Sequence, residues 1–574
     1  MTAAVTALSR YRNYWWFVAT GLFSWLLLGC EPIVDPTLTP PKTDNMAADS
    51  APPPQPQPNP LRNLYWGDLH IHTALSSDAF TMGVRALPED VYRFARGDTI
   101  EHGAGYPITI RRPLDFAAVT DHAEYLGQAR VADLDVPTTR QPLGQLLREG
   151  SRLAVSRAWA ETMALIRDNG FRLTLAGVDH DINRQAWEMI QSAAQAHYQP
   201  GTFTTFMAWE WSADTGDVGT HLHRNVFYGD ERVPERPFSA LDGPQPTDLW
   251  HFLRMERSLD RKVLAIPHNA NLSQGLMYGI GGPDGAVDEA PSDRSSLEPL
   301  SEILQVKGSS ETHPLLSGLD EFAAFEIADA VPGREITLET VSGSYARDAL
   351  RRGISFSHRE GFNPLQFGFI GASDSHNASS PTDEDNYTGK LPMMDGSAGL
   401  RTGEAGLGLT YLTPARKWGS GGLAGVWARE NTREALFDAL QSRETYATSG
   451  PRISLRMFGG WQLSPDLLSA ADAVAQADAL GVPMGSPLPS AAGAQAPTFL
   501  VFASRDPLGA NLDRIQMIKG WVDETGQSHE RVYDIAWSGD REPDPVTGRL
   551  PGIGSSVNVA EASYRNTIGG PVLS

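Results

Sequence analysis

Cysteine is almost absent from this sequence, because its 574 residues include one, Cys30. Disulfide bridges and thiol nucleophiles are therefore excluded. Basic residues are also scarce: 47 lysines and arginines stand against 69 acidic residues and leave a formal net charge of −22. Since proteins that bind polynucleotides gain most of their affinity by neutralising phosphates, this balance argues against a nucleic acid partner.

A hydrophobic run long enough to span a membrane is also missing from the N-terminus. The apolar run at residues 14–28 is shorter than the roughly 20 residues that a transmembrane helix needs. It ends in Leu27-Leu28-Gly29-Cys30, which resembles the lipobox of bacterial lipoproteins, where the cysteine becomes the lipidated N-terminus. We predict a signal peptide at residues 1–30 with Cys30 as the lipid anchor; the alternative is an uncleaved membrane anchor.

Proline and polar residues dominate the segment that follows. Residues 31–60 contain ten prolines and show no hydrophobic periodicity, so they are expected to form an extended tether. A lipid anchor followed by a tether predicts an exported protein held at a membrane, in the periplasm or on the cell surface.

Short apolar runs recur through residues 61–376, and each is typical of a buried strand. They cover residues 64–66, 116–119, 206–209, 263–266, 303–306 and 367–370. Helical patterns lie between them at 146–166 and at 345–352, the second with Ser344 as a cap and Gly353 as a stop. Alternating strands and helices predict an α/β protein with a parallel sheet, open or closed into a barrel.

The chain changes in character towards its C-terminus. Residues 377–426 are rich in glycine, serine and proline and are predicted to be a long loop. A helix is predicted to begin near Thr432, with Leu436 and Leu440 on one face. Strands at 515–521 and 531–537, joined by a turn at 524–526, indicate a smaller β-rich region at 453–574 after the main domain at 61–452.

Residue types that bind metal ions follow almost every predicted strand. In a parallel α/β barrel the C-terminal ends of the strands open on one face, so these side chains should converge there. Histidine combined with carboxylate suits zinc, manganese or iron. The side chains expected on this face are His70, His72, His122, Glu210, His268, Asp374 and His376.

Several of these motifs resemble the PHP superfamily, named for polymerase and histidinol phosphatase. The similar segments are His70-Ile71-His72-Thr73, Thr120-Asp121-His122 and Asp374-Ser375-His376. Other segments, such as Trp66-Gly67-Asp68-Leu69-His70 and Trp209-Glu210-Trp211, resemble a PHP-like branch of large exported proteins known as a domain of unknown function. The resemblance implies a distorted (β/α)7 TIM-like barrel with insertions, two or three divalent metal ions, and further chain after Ser574.

The resemblance also implies a role for each ligand residue. His70, His72 and Asp374 would hold a first ion, which Glu210 bridges to a second held by His223 and His268. Asp78, His122 and His376 would complete a third site. Three points stay open. His221 is an alternative to His223, Asp78 could support a ligand instead of binding metal, and Asp68 and Asp121 either orient an imidazole or cap a loop.

Such a centre predicts a metal-dependent hydrolase, in which a metal-bound hydroxide attacks a phosphoester. Glu210 and Asp374 would serve catalysis at the metals, and Lys307 and Arg224 are candidates to bind the phosphate of a small-molecule substrate, although each is also a candidate surface charge. Hydrolysis of a different ester is an alternative. A surface lipoprotein that binds metal or ligand without turnover is a second alternative.

Overall fold

The computed structural model describes residues 57–132, 177–213, 220–279, 293–328, 335–402 and 418–574, except 492 and 494. The predicted signal peptide, almost all of the tether and the predicted helix at 146–166 lie outside these residues. Within the described ranges, no helix is both long and apolar enough to cross a membrane.

Strands and helices alternate in the first part of the described chain, and strands prevail in the last part. The strands are β1 (Asn63–Ile71), β2 (Ile100–His102), β3 (Tyr106–Ile108), β4 (Phe116–Val119), β5 (Thr204–Trp211), β6 (Arg224–Tyr228), β7 (Val263–Pro267), β8 (Leu300–Gln305), β9 (Gly308–Ser309), β10 (Gly368–Gly371), β11 (Leu423–Ala428), β12 (Thr445–Thr448), β13 (Ser454–Gly460), β14 (Val482–Pro483), β15 (Thr498–Ser504), β16 (Arg514–Val522), β17 (Ser528–Trp537) and β18 (Val572–Leu573). The helices are α1 (Ser77–Thr81), α2 (Pro88–Ala95), α3 (Gln128–Val131), α4 (His180–His197), α5 (Pro246–Ser258), α6 (Arg294–Leu297), α7 (Leu338–Val341), α8 (Ala346–Glu360), α9 (Pro392–Asp395), α10 (Ala398–Thr402), α11 (Arg433–Gln441) and α12 (Ala473–Leu480).

A curled seven-stranded sheet forms a half-barrel, with the strand order β12-β11-β1-β4-β5-β6-β7. The pairs β1–β4 and β4–β5 are parallel, whereas β5–β6, β6–β7, β1–β11 and β11–β12 are antiparallel. A second sheet, β10-β8-β9, pairs β10 with β8 in parallel. The α/β class is confirmed, but a closed TIM-like barrel is not, because antiparallel pairs flank the parallel centre of the main sheet.

Both sheets contribute to one hydrophobic core, which explains why the apolar runs form buried strands. Phe116 and Phe206 of the large sheet pack in the same cluster as Leu300 of β8 and Ile370 of β10. Leu436 of α11 lies in this cluster as well. Because the small sheet shares this core, its strand ends are held beside those of the half-barrel.

Two local predictions are corrected by packing. Residues 423–426, predicted to be the end of a long loop, instead belong to β11 beside β1. Helix α8 does not stop at Gly353 but continues to Glu360 and ends at Gly361, which has a φ of 84°. A Cβ at position 353 would lie 2.9 Å from Leu365 Cβ, so glycine serves close packing there and does not end the helix. The first residue before α8, Tyr345, takes the capping position that we expected for Ser344.

The C-terminal part is β-rich, as predicted, and the hairpin of β16 and β17 is present with its turn at the expected place. Thr432 caps α11 by accepting a hydrogen bond from the Ala435 amide. A sheet with the order β14-β13-β15-β18 accompanies the hairpin. Arg112 bonds both carboxylate oxygens of Asp506 at 2.7 and 2.6 Å and so ties this region to the loop before β4. The boundary at 452/453 stays a prediction.

Candidate metal centre

The topology brings the predicted ligand residues to one edge of the half-barrel. The neighbours β1, β4 and β5 are parallel, so their C-terminal ends meet, and a bridge joins His122 to Glu210. β6 runs the opposite way, so His223, which precedes it, lies at the same edge. A second bridge joins Ile71 to Ser375 and brings the loop after β10 to the end of β1. A register shift between Asp68 and Ile71 interrupts the ladder at His70, which is typical of strands that aim a side chain at a site.

Glu210 lies at the centre of the cluster, and its two oxygens face different histidines. Oε2 lies 3.1 Å from Nε2 of His70 and 3.1 Å from Nε2 of His72. Oε1 lies 2.6 Å from Nδ1 of His223 and 3.3 Å from Nε2 of His268. All five side chains are buried. One carboxylate therefore connects two pairs of imidazoles, which is the arrangement of a bridging ligand between two ions.

A second group of residues lies at the solvent side of this cluster. Asp78 Oδ2 is 3.1 Å from His376 Nε2 and 3.6 Å from His122 Nε2. His376 also stacks on His72, with ring centroids 3.9 Å apart. The side chain of Asp78 is 41% exposed and that of His122 is 16% exposed, whereas His376 is buried. Solvent therefore reaches the cluster past Asp78 and His122.

Asp374 contacts two lysines as well as the histidines. Its Oδ1 lies 3.5 Å from Nε2 of His70 and 3.5 Å from Nε2 of His72. Lys307 Nζ contacts Oδ2, and Lys390 Nζ lies 2.9 Å from Oδ1. Lys390 also donates to the Asp374 carbonyl oxygen at 2.6 Å. Asp374 has a φ of 54°, so this loop carries a rare backbone conformation next to the cluster.

Sequence reasoning missed Lys390 and also Glu302, which lies at the other side of His70. Glu302 Oε2 is 2.9 Å from His70 Nδ1, and the carboxylate is buried. Glu302 lies within β8, one residue before the apolar run that predicted that strand, whereas Lys390 lies in a segment without periodicity. A polar residue inside a buried strand was the signal available for Glu302.

Hydroxyl groups take the place of a carboxylate at two other histidines. Nδ1 of His72 lies 2.9 Å from Ser76 Oγ, which donates to Asp121 at 2.7 Å. Nδ1 of His122 lies 2.6 Å from Ser212 Oγ. Asp121 therefore orients His72 through a serine and also bonds the Thr73 amide at 2.6 Å.

Within the described ranges, Asp68 contacts backbone amides and a hydroxyl but no imidazole. It accepts hydrogen bonds from the amides of His70 and Ser373 and from the hydroxyl of Ser380, at 3.1, 3.0 and 2.6 Å. These bonds tie β1 to the loop after β10. Of the two roles considered for Asp68, the contacts correspond to capping a loop.

Charges within the cluster outweigh the effect of burial at Glu210, Asp374 and His70, whereas burial prevails at His268 and His376 and lowers the pKa of both imidazoles, to about 3 for His376. Burial disfavours the anion of Glu210, but His122, His268 and His223 hold its pKa well below the usual range. Lys307 and Lys390 likewise overcome burial and hold the pKa of Asp374 well below its ordinary value. Burial lowers the pKa of His70, yet Glu302 and Asp374 raise it to about 10. In the metal-free protein, protons and lysines neutralise these carboxylates.

The donor atoms fit divalent metal ions. Among the described residues, Nε2 of His72 and both ring nitrogens of His268 are buried without a hydrogen-bond partner. Such atoms are costly unless a cation or proton occupies them. In the part of the chain that the structure describes, four groups have ligand atoms that all lie within 4.8 Å of one another: His70, His72 and Glu210; Glu210, His223 and His268; His72, His122 and His376; and His70, His268 and Glu302. Nitrogen and oxygen ligands without thiolate suit zinc, manganese or iron.

The positions of Arg224 and of the pair His221 and His223 decide two of the predictions. Arg224 is buried, and its guanidinium bonds Glu298 at 2.9 Å and the carbonyl of Leu222 instead of facing the cluster. We therefore correct the expectation that Arg224 binds a phosphate. His223 contacts Glu210 directly, whereas His221 contacts His223 at 3.2 Å. This geometry favours His223 as the ligand.

Comparisons with known proteins give one family and one distant structural likeness. A family described as "Protein of unknown function (DUF3604)" matches residues 59–574. No curated protein matches the sequence. A crystal structure of a two-domain protein from Bacteroides vulgatus, described as containing a predicted PHP-like metal-dependent phosphoesterase, is similar with 11% identity over 70% of this chain and 69% of that chain, at a TM-score of 0.28. This likeness is too weak to support an inference about function.

Proposed function

The chain belongs to the DUF3604 family, a family of unknown function, and we propose that this member is a metal-dependent hydrolase of phosphoesters. One observation carries the proposal: the Glu210 carboxylate lies among four buried imidazoles from three separate parts of the chain. Buried histidines that face acids at this density are expensive to maintain for stability alone, because each must be desolvated. The PHP-like barrel and the assignment of individual ions are part of the same proposal.

Each residue of the cluster would have a distinct role in this reaction. When bound, divalent ions lower the pKa of a water and neutralise the oxygens of a transferred phosphoryl group. Glu210 would hold the two inner sites together, and His122, His376 and Asp78 would hold the outer one. Asp374 keeps Lys307 Nζ at the cluster, where the ammonium would bind a phosphoryl oxygen. The side chain of Lys307 is 21% exposed, so an anion arriving from solvent can reach it.

The test is a substrate panel on the metal-loaded full chain. The panel contains p-nitrophenyl phosphate, bis-p-nitrophenyl phosphate, p-nitrophenyl sulfate and p-nitrophenyl acetate, each assayed with zinc, manganese or iron. Glu210→Gln keeps the size of the side chain and removes its charge. His251→Ala is the matched control, because His251 is exposed on α5, outside the cluster. We expect phosphoester hydrolysis that chelation removes, that Glu210→Gln abolishes and that His251→Ala retains.

Other outcomes select other functions. Turnover of the sulfate or acetate alone would replace the phosphoester with a different ester. Tight metal binding without turnover of any panel member would favour a metal-binding or ligand-binding protein.

We also propose that the protein is exported and anchored through lipid on Cys30, which lies outside the described residues. The sequence Leu27-Leu28-Gly29-Cys30 supports this proposal. Membrane fractionation of the wild type and of Cys30→Ser tests it. Release of the variant into the soluble fraction is the expected result, and an unchanged membrane association would contradict lipid anchoring.

A further inference from the structure

We infer that Glu302 is a positioning residue that fixes which ring nitrogen of His70 faces the metal centre. The inference rests on the proposed function, because it concerns how one metal ligand is oriented. Neither the sequence motifs nor the comparisons assign a role to Glu302.

Glu302 is held in place from both ends of its carboxylate. Oε2 lies 2.9 Å from His70 Nδ1, and Oε1 accepts a hydrogen bond from Gln305 Nε2 at 2.7 Å. Gln305 Nε2 also lies 2.8 Å from Asn269 Oδ1. All of these side chains are buried. A buried network of this kind leaves the Glu302 carboxylate little freedom to turn away from His70.

The contact determines the tautomer of His70. An ionised carboxylate only accepts hydrogen bonds, so Nδ1 of a neutral His70 must carry the hydrogen that bonds Glu302. Nε2 then presents its lone pair, and Nε2 is the atom that lies 3.1 Å from Glu210 and 3.5 Å from Asp374. Glu302 thus leaves the correct nitrogen of His70 free for an ion.

His70 differs from His72 and His122 in the group that its Nδ1 faces. Each of them places Nδ1 against a serine hydroxyl, Ser76 at 2.9 Å and Ser212 at 2.6 Å. Each hydroxyl already donates its one hydrogen to a carboxylate, Ser76 to Asp121 and Ser212 to Glu210, so it accepts from Nδ1 as Glu302 does. A hydrogen bond to an ionised carboxylate is, however, stronger than one to a neutral hydroxyl. His70 is therefore the most firmly oriented of these three imidazoles.

The competing role for Glu302 is that of a metal ligand, because its oxygen also lies close to His70 and His268. The two roles differ in how many ions the protein binds. Loss of a ligand removes an ion even at saturating metal, whereas loss of an orienting carboxylate keeps the number of ions and weakens their binding.

The experiment measures ions per full chain at saturation, and zinc affinity by competition with a chelator, for the wild type, Glu302→Gln and Glu302→Asp. The control is Glu256→Gln, a buried glutamate bonded to Tyr228 and Arg261 and not to a histidine. We expect an unchanged number of ions and, after correction for the proton that zinc displaces from His70, binding that is about 10- to 100-fold weaker in Glu302→Gln. Glu302→Asp should be intermediate, and the control should match the wild type.

One ion fewer at saturation in Glu302→Gln would overturn the inference and make Glu302 a metal ligand. A zinc affinity of Glu302→Gln equal to that of the wild type would exclude both roles. Absence of zinc from the wild type would instead contradict the proposed function. Should the variants fail to fold, nitrogen NMR of the zinc-loaded wild type, with His70 identified by comparison with His70→Asn, gives a second readout. A protonated Nδ1 on His70 supports the inference, and an unprotonated Nδ1 refutes it.

Discussion

Metal binding should release protons from the cluster at a pH where ordinary histidines have none to release. An imidazole with a pKa of about 6.5 is about 3% protonated at pH 8. His70, whose pKa is raised to about 10 by Glu302 and Asp374 against the effect of burial, is about 99% protonated at that pH. His122 also has a pKa well above its ordinary value, because Glu210 and Asp78 outweigh burial. Since metal ligands must be deprotonated, an ion bound at His70 displaces about one proton, and an ion bound at His122 adds to the release.

The sign and size of the pH dependence follow from these protons. Below pH 10, a metal ion must displace one proton from His70, so the apparent metal affinity falls about tenfold for each unit by which the pH is lowered. From pH 10 to pH 8 this amounts to about 100-fold, or about 2.7 kcal/mol. Apparent affinity should therefore fall as the pH falls through this range.

Calorimetric titration of the metal-free protein at pH 8 measures the release directly. The observed heat is compared between buffers that differ in ionisation enthalpy and do not bind the metal, and the slope gives the number of protons released. We expect a slope of at least about one, a slope lower by about one in His70→Asn, and no change in His251→Asn. A slope near zero in the wild type would refute the reasoning, because the histidines would then be neutral before metal binds.

Three further predictions concern the stability of the protein and the binding of its substrate. Burial raises the pKa of Asp68 in the folded protein to about 6, so the folded protein binds a proton that the unfolded chain has already lost. The stability contributed by this protonated carboxyl group is lost as the pH rises from about 4 to 7. Denaturant unfolding of the metal-free protein should therefore show the wild type losing up to about 3 kcal/mol relative to Asp68→Asn over that range. Leu436→Ala should cost about 2–5 kcal/mol in the same assay, because Leu436 is buried in the core. Lys307→Met should raise KM for a phosphoester about tenfold or more, measured by steady-state kinetics; an unchanged KM would remove Lys307 from substrate binding.

The convergence of most candidate ligand residues could be predicted from the sequence because they follow short apolar runs. His70, His122 and His268 lie at or just after the C-terminal ends of β1, β4 and β7. The first two of these strands pair in parallel, as expected, whereas β7 pairs with β6 in antiparallel. An antiparallel strand begins at the edge where its neighbours end, so His223 reaches the same edge although β6 departs from the parallel pattern. The prediction of convergence therefore did not depend on a fully parallel barrel.

The remaining features depend on contacts between distant segments. Glu302 is defined as part of the site by His70, 232 positions away in the sequence, and Lys390 by its contact with Asp374. β11 follows a glycine-rich segment, and its hydrophobic pattern alone does not distinguish it from a loop. Arg224 adjoins a ligand histidine, but alternate residues of a strand point to opposite faces, so its guanidinium meets Glu298 instead.

Metal content of the purified full chain tests the central claim most directly. Elemental mass spectrometry is applied to the wild type and to a variant that carries both His70→Ala and His72→Ala, with His251→Ala as the control. We predict two to three zinc, manganese or iron ions per chain in the wild type and the control, and fewer in the double variant. A folded wild-type protein without bound metal, and without uptake on reconstitution, would contradict the account.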